Sequence, residues 1–346
     1  MSTEKNHPAT NMRTVAKHAR VSSATVSRVI NGVSGVSEET AERVRRALDE
    51  LNFVPNPIAT ALKYGRSKTC GLIMPDLTNP FFCELLRNFE AALVDTDQEL
   101  LLASTESSEP RLVSSVRRML MRHVEGVVLL GSESDTQAIE PLFKRKIPIV
   151  TVDRRRVQEG SSDVAIDFEN GYQQAVLHLK ELGHRSIGFV GGSNGIVTSQ
   201  VRHNAFQRAI QLAGLIYDER FVRSGDYRVS GGIAAIRSLL KEPCRPTAVI
   251  TANDLTAIGV LRGLHASGIG IPSEISVVGF DGILLGDAVY PPLTTIQISS
   301  QDIVQACLRA LEHTKAHLNK RGLEISIRGS LVVRESTGVV PSRRSA

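Results

Sequence analysis

A short polar stretch near the start of the chain carries side chains suited to reading DNA bases. In residues 21–32, Ser22 can cap a helix, and Val26, Val29 and Ile30 recur at the spacing of one helix face. Short side chains let a helix enter the major groove, and an Arg can bind guanine through two hydrogen bonds. The opposite face of this helix is predicted to carry Ser23, Ala24, Thr25, Ser27 and Arg28.

A different chemistry is suggested by Gly191-Gly192-Ser193-Asn194-Gly195, which satisfies the G-x-S-x-G pattern of a nucleophile elbow. A hydrolase would need Ser193 on a tight turn directly before a helix, followed by an acid and then a His. Here Gly195 and the residues after it extend the loop, and no later His stands in a recognisable catalytic context. An α/β hydrolase that uses Ser193 is therefore a weak alternative, and we expect no enzymatic activity.

The four cysteines are scattered without a C-x-x-C pair or a His at metal-ligand spacing: Cys70, Cys83, Cys244 and Cys307. Unpaired cysteines of this kind usually behave as small buried apolar residues of a protein in a reducing compartment. We expect no disulfide, no metal site and no cofactor.

The segments on either side of the polar stretch predict two more helices. Asn11 can cap a first helix that faces inward through Val15, Ala16 and Ala19, and Gly32 can end the second helix. Two short helices joined by a turn form a helix-turn-helix. Ser37 can cap a third helix, whose buried stripe is Val44, Ala47, Leu48 and Leu51.

Composition and charge limit the class of protein. With 346 residues and 42% hydrophobic residues, the chain is expected to form two or three globular domains. Residues 1–70 carry 11 Lys or Arg and 6 Asp or Glu, so they account for the whole net charge of +5. This excess lies on the predicted helix-turn-helix, as phosphate binding requires. The polar residues 1–10 resemble no secretory signal, and no stretch approaches the roughly 18 apolar residues of a membrane span. We expect a cytoplasmic protein.

From about residue 68 onward, short apolar runs alternate with stretches of helical periodicity. Two series of four runs are predicted to be strands: 70–74, 100–103, 127–130 and 149–152, then 187–190, 221–222, 248–251 and 277–280. Two βαβ series indicate two doubly wound parallel-sheet subdomains. A helix and a strand in 299–327 should return to the first subdomain, and the last strand to the second.

If residues 69–338, called the body below, form two such subdomains, a ligand is expected in the cleft between the two sheets, beyond the carboxyl ends of the strands. Polar and aromatic residues follow several of these ends, among them Asp76, Phe81, Phe82, Tyr227, Asn253, Asp254 and Asp281. Arg202 lies on a helix that starts at the same side. Carboxylate, amide and guanidinium groups among aromatic faces suit a polyhydroxylated ring. Alternatively, Phe81 or Phe82 packs in the core, Asp281 braces a turn, and Asn253 or, preferably, Asp254 caps a helix.

The order of these motifs resembles the LacI/GalR (lactose-repressor) family of bacterial transcription factors. The head resembles that family through residues 21–62, VSSATVSRVINGVSGVSEETAERVRRALDELNFVPNPIATAL. The body, which is similar to periplasmic sugar-binding proteins, resembles it through Asn79-Pro80-Phe81-Phe82, Gly183-His184-Arg185, Thr251-Ala252-Asn253-Asp254, Pro292-Leu293-Thr294-Thr295 and Arg334-Glu335-Ser336-Thr337.

The resemblance implies a role for particular residues. A helix after the Pro-Asn linker would enter the minor groove, where Leu62 would wedge a base step. DNA contacts are expected from Thr14, Ser22, Ser23, Ala24, Thr25, Ser27, Arg28, Asn31, Asn56 and Leu62. In the cleft, Arg202, Asn253 and Asp281 match effector-contacting positions, and Phe81, Phe82 and Tyr227 match the aromatic lining.

These expectations define a domain plan. It comprises a disordered segment 1–10, a helix-turn-helix domain 11–57, a hinge helix and linker 56–68, an effector-binding body 69–338 and a tail 339–346. The body divides into an N-subdomain (about 69–168 and 299–327) and a C-subdomain (about 169–298 and 328–338). The tail is too short for a tetramerising coiled coil, so we expect a homodimer on a pseudo-palindromic DNA operator. The effector should be a sugar or sugar derivative, with a purine or nucleoside as the alternative. A transport binding protein is disfavoured by the DNA-binding head.

Overall fold

The computed structural model describes residues 11–53, 67–131 and 136–340, and the chain forms two compact units that meet at Ser67 and Lys68. The predicted disordered N-terminus, Asn56 and Leu62, nearly all of the hinge and most of the tail lie outside the described residues.

The described part of the first unit, mainly residues 11–53, contains three helices, α1 (Met12–His18), α2 (Ser23–Ile30) and α3 (Glu38–Glu50). The predicted caps of the first two are confirmed: Asn11 Oδ1 accepts from Arg13 N and Thr14 N, both at 3.0 Å, and Ser22 Oγ accepts from Thr25 N at 3.1 Å. Ser37 occupies the cap position of α3, but its hydroxyl bonds Thr40 Oγ1 instead of a backbone amide.

The three helices share one small apolar core. Val15, Val26 and Val44, one from each helix, are completely buried and pack together. Ser27 is also buried, so its predicted place on the exposed face of α2 is wrong. Its position directly after Val26 turns it toward the same interior, where the small hydroxyl side chain fits between the helices.

Over residues 68–131 and 136–340, the second unit contains two six-stranded sheets. The first sheet has the order β11-β5-β4-β3-β1-β2, and all of its pairings are parallel. Its strands are β1 (Thr69–Met74), β2 (Glu99–Ser104), β3 (Gly126–Leu130), β4 (Ile149–Val152), β5 (Ser161–Ile166) and β11 (Glu324–Ile327). Its helices are α4 (Pro80–Val94), α5 (Glu109–Met121), α6 (Thr136–Lys144) and α12 (Ser300–Ala316).

The second sheet has the order β12-β10-β9-β8-β6-β7 and is parallel except for β12, which runs antiparallel to β10. Its strands are β6 (Ile187–Val190), β7 (Val222–Arg223), β8 (Ala248–Thr251), β9 (Ser276–Asp281), β10 (Thr294–Gln297) and β12 (Ser330–Val332). Its helices are α7 (Phe168–Glu181), α8 (Val197–Leu212), α9 (Val229–Leu239), α10 (Asp254–Ala266) and α11 (Leu285–Ala288), with a 3₁₀ turn at Glu219–Phe221.

The predicted fold class and all eight predicted strands are confirmed, and no strand end differs from its predicted position by more than one residue. β5 was missed because it begins with Ser161, Ser162 and Asp163, which resemble a loop but are buried. Their polar atoms are satisfied inside the fold. Thr151 Oγ1 donates to Asp163 Oδ1 at 2.5 Å, and Ser162 Oγ lies 2.6 Å from Thr314 Oγ1.

An aromatic cluster fills the space between the second sheet and its helices. The ring of Phe206 stacks on Phe189 with 4.7 Å between centroids and 12° between planes. Tyr172 meets Phe189 edge-on at 5.7 Å and lies 5.0 Å from Phe280. Burial of these large side chains is a major source of stability for this half of the body.

The four cysteines comprise two buried and two exposed residues. Cys70 and Cys307 are buried as predicted, whereas Cys83 and Cys244 are exposed, so the expectation of four buried cysteines is wrong for two of them.

Within residues 11–53, 67–131 and 136–340, no helix has the length and apolar character to cross a membrane.

The contribution of the aromatic cluster can be measured through Phe206, which is buried on α8. Phe206→Ala should lower the free energy of unfolding by about 3–5 kcal/mol, because it removes the stacked ring and leaves a cavity. Leu212→Ala on the same helix, where the side chain is mostly exposed, should cost no more than about 0.5 kcal/mol. Urea denaturation followed by circular dichroism measures both. Equal losses for the two variants would contradict this account of the core.

Candidate functional site

A cavity of ≈ 380 Å³ lies between the two sheets of the second unit. It is formed by segments that follow the carboxyl ends of strands from both sheets, which is where ligands of doubly wound folds bind. All six residues that the sequence predicted for the cleft line it: Phe81, Phe82, Arg202, Tyr227, Asn253 and Asp281.

Arg202, on α8, is the central cation of this cavity and is buried. Its Cζ lies 4.3 Å from the ring centroid of Phe168 and 4.9 Å from that of Phe280, so the guanidinium is held by two aromatic faces. Nη1 donates to Ala252 O, and Nη2 lies 3.7 Å from Asp281 Oδ1. The buried Nε has no hydrogen-bond partner within the described part of the chain. One N–H of the guanidinium is therefore left unsatisfied inside the fold.

Asp153 is a lining residue that the sequence reasoning missed. It directly follows β4, a strand that the sequence predicts. Because ligands bind beyond the carboxyl ends of such strands, Asp153 could have been included among the expected cleft residues. Its Oδ1 accepts from Ile166 N at 2.7 Å, and its backbone has φ 61°. Burial raises the pKa of Asp153 to about 7, although the Ile166 amide and Arg202 oppose the shift.

Asn253 holds a structural position as well as lining the cavity. Its Oδ1 accepts from Thr256 N at 3.0 Å and so caps α10, and its Nδ2 donates to Tyr227 O at 3.1 Å. Of the two residues that the sequence offers as the cap, Asn253 fills this role, and the prediction for Asp254 is wrong. Asp254 instead accepts from Gly282 N and Ile283 N, both at 2.8 Å, and thereby braces the turn after Asp281.

The aromatic wall is made by residues from both subdomains. Phe81 and Phe82 at the start of α4 meet edge-on with 5.6 Å between centroids; Phe81 is buried and Phe82 is half-buried. Tyr227 has φ 62°, and its hydroxyl lies 2.9 Å from Ser199 Oγ. Its ring occupies the space where a side chain at Gly192 would be, since a Cβ there would lie 2.1 Å from Tyr227 Cζ.

The glycine-rich loop does not have the geometry of a nucleophile elbow. Ser193 is separated from the first residue of α8, Val197, by three residues, whereas an elbow turns directly into its helix. The next His in the chain, His203, has its Nε2 at 2.8 Å from Tyr217 Oη. Ser193 instead lines the cavity.

In the first unit, most of the predicted DNA-contacting residues are accessible. The exposed ones are Thr14, Ser22, Ser23, Ala24, Arg28 and Asn31, whereas Thr25 is half-buried and Ser27 is buried. Asn31 Nδ2 donates to Ser27 O at 2.5 Å, which stabilises the end of α2. The exposed face of α2 thus combines small side chains with the guanidinium of Arg28.

Comparisons with known proteins agree with this architecture. Residues 11–56 match the family of bacterial regulatory proteins, lacI family, and residues 176–337 match the periplasmic binding protein-like domain. The chain is 32% identical over 319 residues to the ribose operon repressor of Escherichia coli (strain K12), covering 91% of this chain and 96% of that protein. It is 31% identical over 317 residues to catabolite control protein A of Priestia megaterium, with coverages of 90% and 94%.

The fold is also similar to that of a solved repressor complex. The crystal structure of the lac repressor dimer bound to operator and the anti-inducer ONPF matches with a TM-score of 0.85 and 26% identity, covering 96% of this chain and 100% of that chain. A helix-turn-helix head followed by two doubly wound sheets around a polar cavity defines a DNA-binding regulator with a ligand-binding body. The chain belongs to the LacI family of bacterial transcriptional regulators.

The ionisation of Asp153 should make stability depend on pH. Because its pKa in the folded protein, about 7, lies above the value of about 4 in an unfolded chain, the folded protein keeps a proton that the unfolded chain releases. The free energy of unfolding should therefore fall as the pH rises from about 4 to above 7. Asp153→Asn keeps an oxygen for Ile166 N but cannot ionise, so its fall between pH 5 and pH 8 should be smaller by about 1–3 kcal/mol.

Urea denaturation of both proteins at several pH values measures this difference. Asp254 and Asp281, whose pKa values are also raised by burial, are present in both proteins, so the difference between the curves reports the ionisation of Asp153 together with its charge interaction with Asp281. Parallel pH curves would show that Asp153 does not carry the effect.

Proposed function

We propose that this chain is a transcriptional repressor that binds a pseudo-palindromic operator as a homodimer and responds to a small metabolite in its cleft. The observation that carries the proposal is the pairing, in one chain, of an exposed helix with short side chains and a polar cavity lined by Arg202, Asn253 and Asp281. It acts as a binding protein and not as an enzyme, without a cofactor, and we place it in the cytoplasm with the chromosome.

We assign the head, residues 11–57, to DNA binding. In a dimer, two such heads about one helical turn apart would each place α2 in a major groove. Ser23, Ala24 and Thr25 would then face base edges, and Arg28 is the side chain best suited to a bidentate contact with guanine. The exposed Thr14, Ser22 and Asn31 would hold phosphate contacts, whereas Ser27, which is buried, would support α2 from within the head. We also assign Asn56 and Leu62 to the hinge segment 56–68, with Leu62 as the minor-groove wedge.

We assign the cleft in 69–338 to the effector. Arg202 and the nearby carboxylates offer donors and acceptors for hydroxyl groups, and Phe81, Phe82 and Tyr227 offer apolar faces for a ring. Asn253 would contribute the amide capacity that remains after it caps α10. A sugar or sugar derivative is the favoured class, in line with the relative that is named for a ribose operon. A purine or nucleoside is the second candidate.

The coupling between cleft and head follows from the path of the chain. Lys68, the first residue of the body, is fixed at its backbone by Glu125, because Lys68 N donates to Glu125 Oε1 at 3.0 Å. From there β1 runs for six residues and ends at Met74, two residues before Asp76, which lines the cavity. A ligand that changes the angle between the subdomains would therefore change the spacing of the two hinges in a dimer. A coupling of about 1–3 kcal/mol would suffice for control.

Replacement of Arg28 tests the DNA-reading role. Arg28→Ala should weaken operator binding by about 1–3 kcal/mol and relax the preference at one base position of each half-site. Arg43→Ala removes an exposed guanidinium from α3 and should leave the base preference unchanged. Binding to a randomised operator library at fixed salt measures both effects. If Arg28→Ala selected the same sequences as the parent protein, α2 would not be the reading helix.

A ligand screen tests control by the cleft. Thermal-shift measurements with sugars, sugar phosphates, nucleosides and purines should give at least one compound that raises the Tm, because binding to the folded state stabilises it. The same compound should change operator affinity by about 5- to 150-fold at constant salt. In Asp281→Asn, both responses should weaken together. A compound that raises the Tm but leaves operator affinity unchanged would contradict the coupling.

A further inference from the structure

The cavity has an acidic lining, and this bears on the charge of its ligand. Among the described lining residues, five are acidic, namely Asp76, Glu106, Asp153, Asp226 and Asp281, and two are basic, namely Arg202 and Arg228. Arg202 is buried between aromatic rings. The Arg228 side chain is 57% exposed, so it is the accessible cation of this described lining.

Arg228 is already paired across the cleft. Its Nη2 lies 2.9 Å from Asp76 Oδ2. Asp76 follows β1 of the first sheet, and Arg228 directly precedes α9, which packs on the second sheet. The ion pair therefore joins the two walls of the cavity, and an anionic ligand would have to compete with Asp76 for this guanidinium.

Both partners are held in place by local turns. Asp76 Oδ1 accepts from Thr78 N at 2.7 Å and from Thr78 Oγ1 at 2.6 Å, which leaves Oδ2 directed to Arg228. On the other side, Arg228 N donates to Asp226 Oδ1 at 2.9 Å. Since little side-chain freedom of Asp76 remains to be lost, the pair is preorganised.

The other charged groups of the lining disfavour an anion as well. Glu106 is paired with Arg111, and Asp226 accepts from Ser230 Oγ and Gly231 N, so these two carboxylates are already engaged. Nη2 of Arg202 lies 3.7 Å from Asp281 Oδ1, so this guanidinium also has a carboxylate beside it. A phosphate would add negative charge to this described lining, in which both guanidinium groups already have an acidic partner. A hydroxyl could instead donate to a carboxylate.

Building on the effector role proposed above, we infer that the Asp76–Arg228 ion pair is a charge filter that restricts the cleft to uncharged polyhydroxylated ligands. Asp76 is the residue that determines this specificity, because it cancels the accessible cation that would otherwise bind a phosphate or carboxylate. The cavity volume of ≈ 380 Å³ lies near the lower end of the roughly 300–1,000 Å³ typical of ligand pockets, in keeping with a small sugar.

The test is isothermal titration calorimetry on the full chain with matched neutral and phosphorylated sugars. The pairs are D-ribose with ribose 5-phosphate, D-glucose with glucose 6-phosphate, and D-fructose with fructose 6-phosphate. At least one neutral sugar should bind, and its phosphate should bind at least tenfold more weakly. In Asp76→Asn, which keeps an oxygen for Thr78 but frees Arg228, the preference should fall at least tenfold, mainly through tighter binding of the phosphate. Adding Arg228→Gln to this variant should restore the exclusion.

Asp95→Asn is the control, because it makes the same charge change at an exposed residue that is not part of the cavity lining. Its preference should stay within twofold of the parent value. The inference is overturned if a phosphorylated sugar binds the parent protein as tightly as its neutral form, if Asp76→Asn leaves the preference unchanged, or if none of the neutral sugars binds. These titrations contain no DNA, so their failure is distinguishable from a failure of operator control.

Discussion

Burial of the Arg202 guanidinium is the constraint around which the cleft is organised. A cation removed from water is tolerated only where carboxylates, carbonyl oxygens and aromatic faces replace its hydration. Phe168, at the start of α7, and Phe280, in β9, provide the faces, and Asp281 provides the nearest charge. The position of each of these groups is therefore fixed before any ligand arrives. A ligand that enters the cleft meets donors and acceptors that need little reorganisation, which favours selective binding.

The carboxylate beside this cation depends on a second buried acid. Asp281 has φ 114°, a conformation that residues with a side chain rarely adopt, and it is followed by Gly282 at φ 80°. Asp254 holds this turn by accepting hydrogen bonds from two backbone amides, and its Oδ1 accepts a third from Thr295 Oγ1 at 2.6 Å. Burial raises the pKa of Asp254 to about 6, against the opposing effect of these hydrogen bonds. The geometry of the cleft thus rests on a residue that is absent from the described lining of the cavity.

Much of the fold and of the site could be predicted because both follow local patterns. Apolar runs marked eight strands, and the segments after those strands supplied five of the six predicted members of the lining, with Arg202 on helix α8 as the sixth. The failures arose where the deciding partner is distant. Burial of β5 depends on Thr151 and Thr314. Asp254 does not cap α10 because its carboxylate binds the turn at 282–283. The ion pair of Asp76 with Arg228 joins positions 152 residues apart, which a single sequence does not reveal. Asp153 directly follows a predicted strand, so it could have been included among the expected cleft residues. The position of Ser27 is predicted wrongly because a polar side chain was expected on the outer face of the helix.

The chain passes between the two sheets three times, after β5, after β10 and between β11 and β12, so each half of the body is assembled from two separate pieces of the sequence. Neither half corresponds to one continuous stretch of coding sequence. Recombination with a related regulator at a single point inside the body would build at least one sheet from strands of two parents, with mismatched core side chains. New ligand preferences are therefore expected to be acquired by exchanging the body as one block behind an unchanged head, or by point substitutions within the cleft, and not by swapping halves.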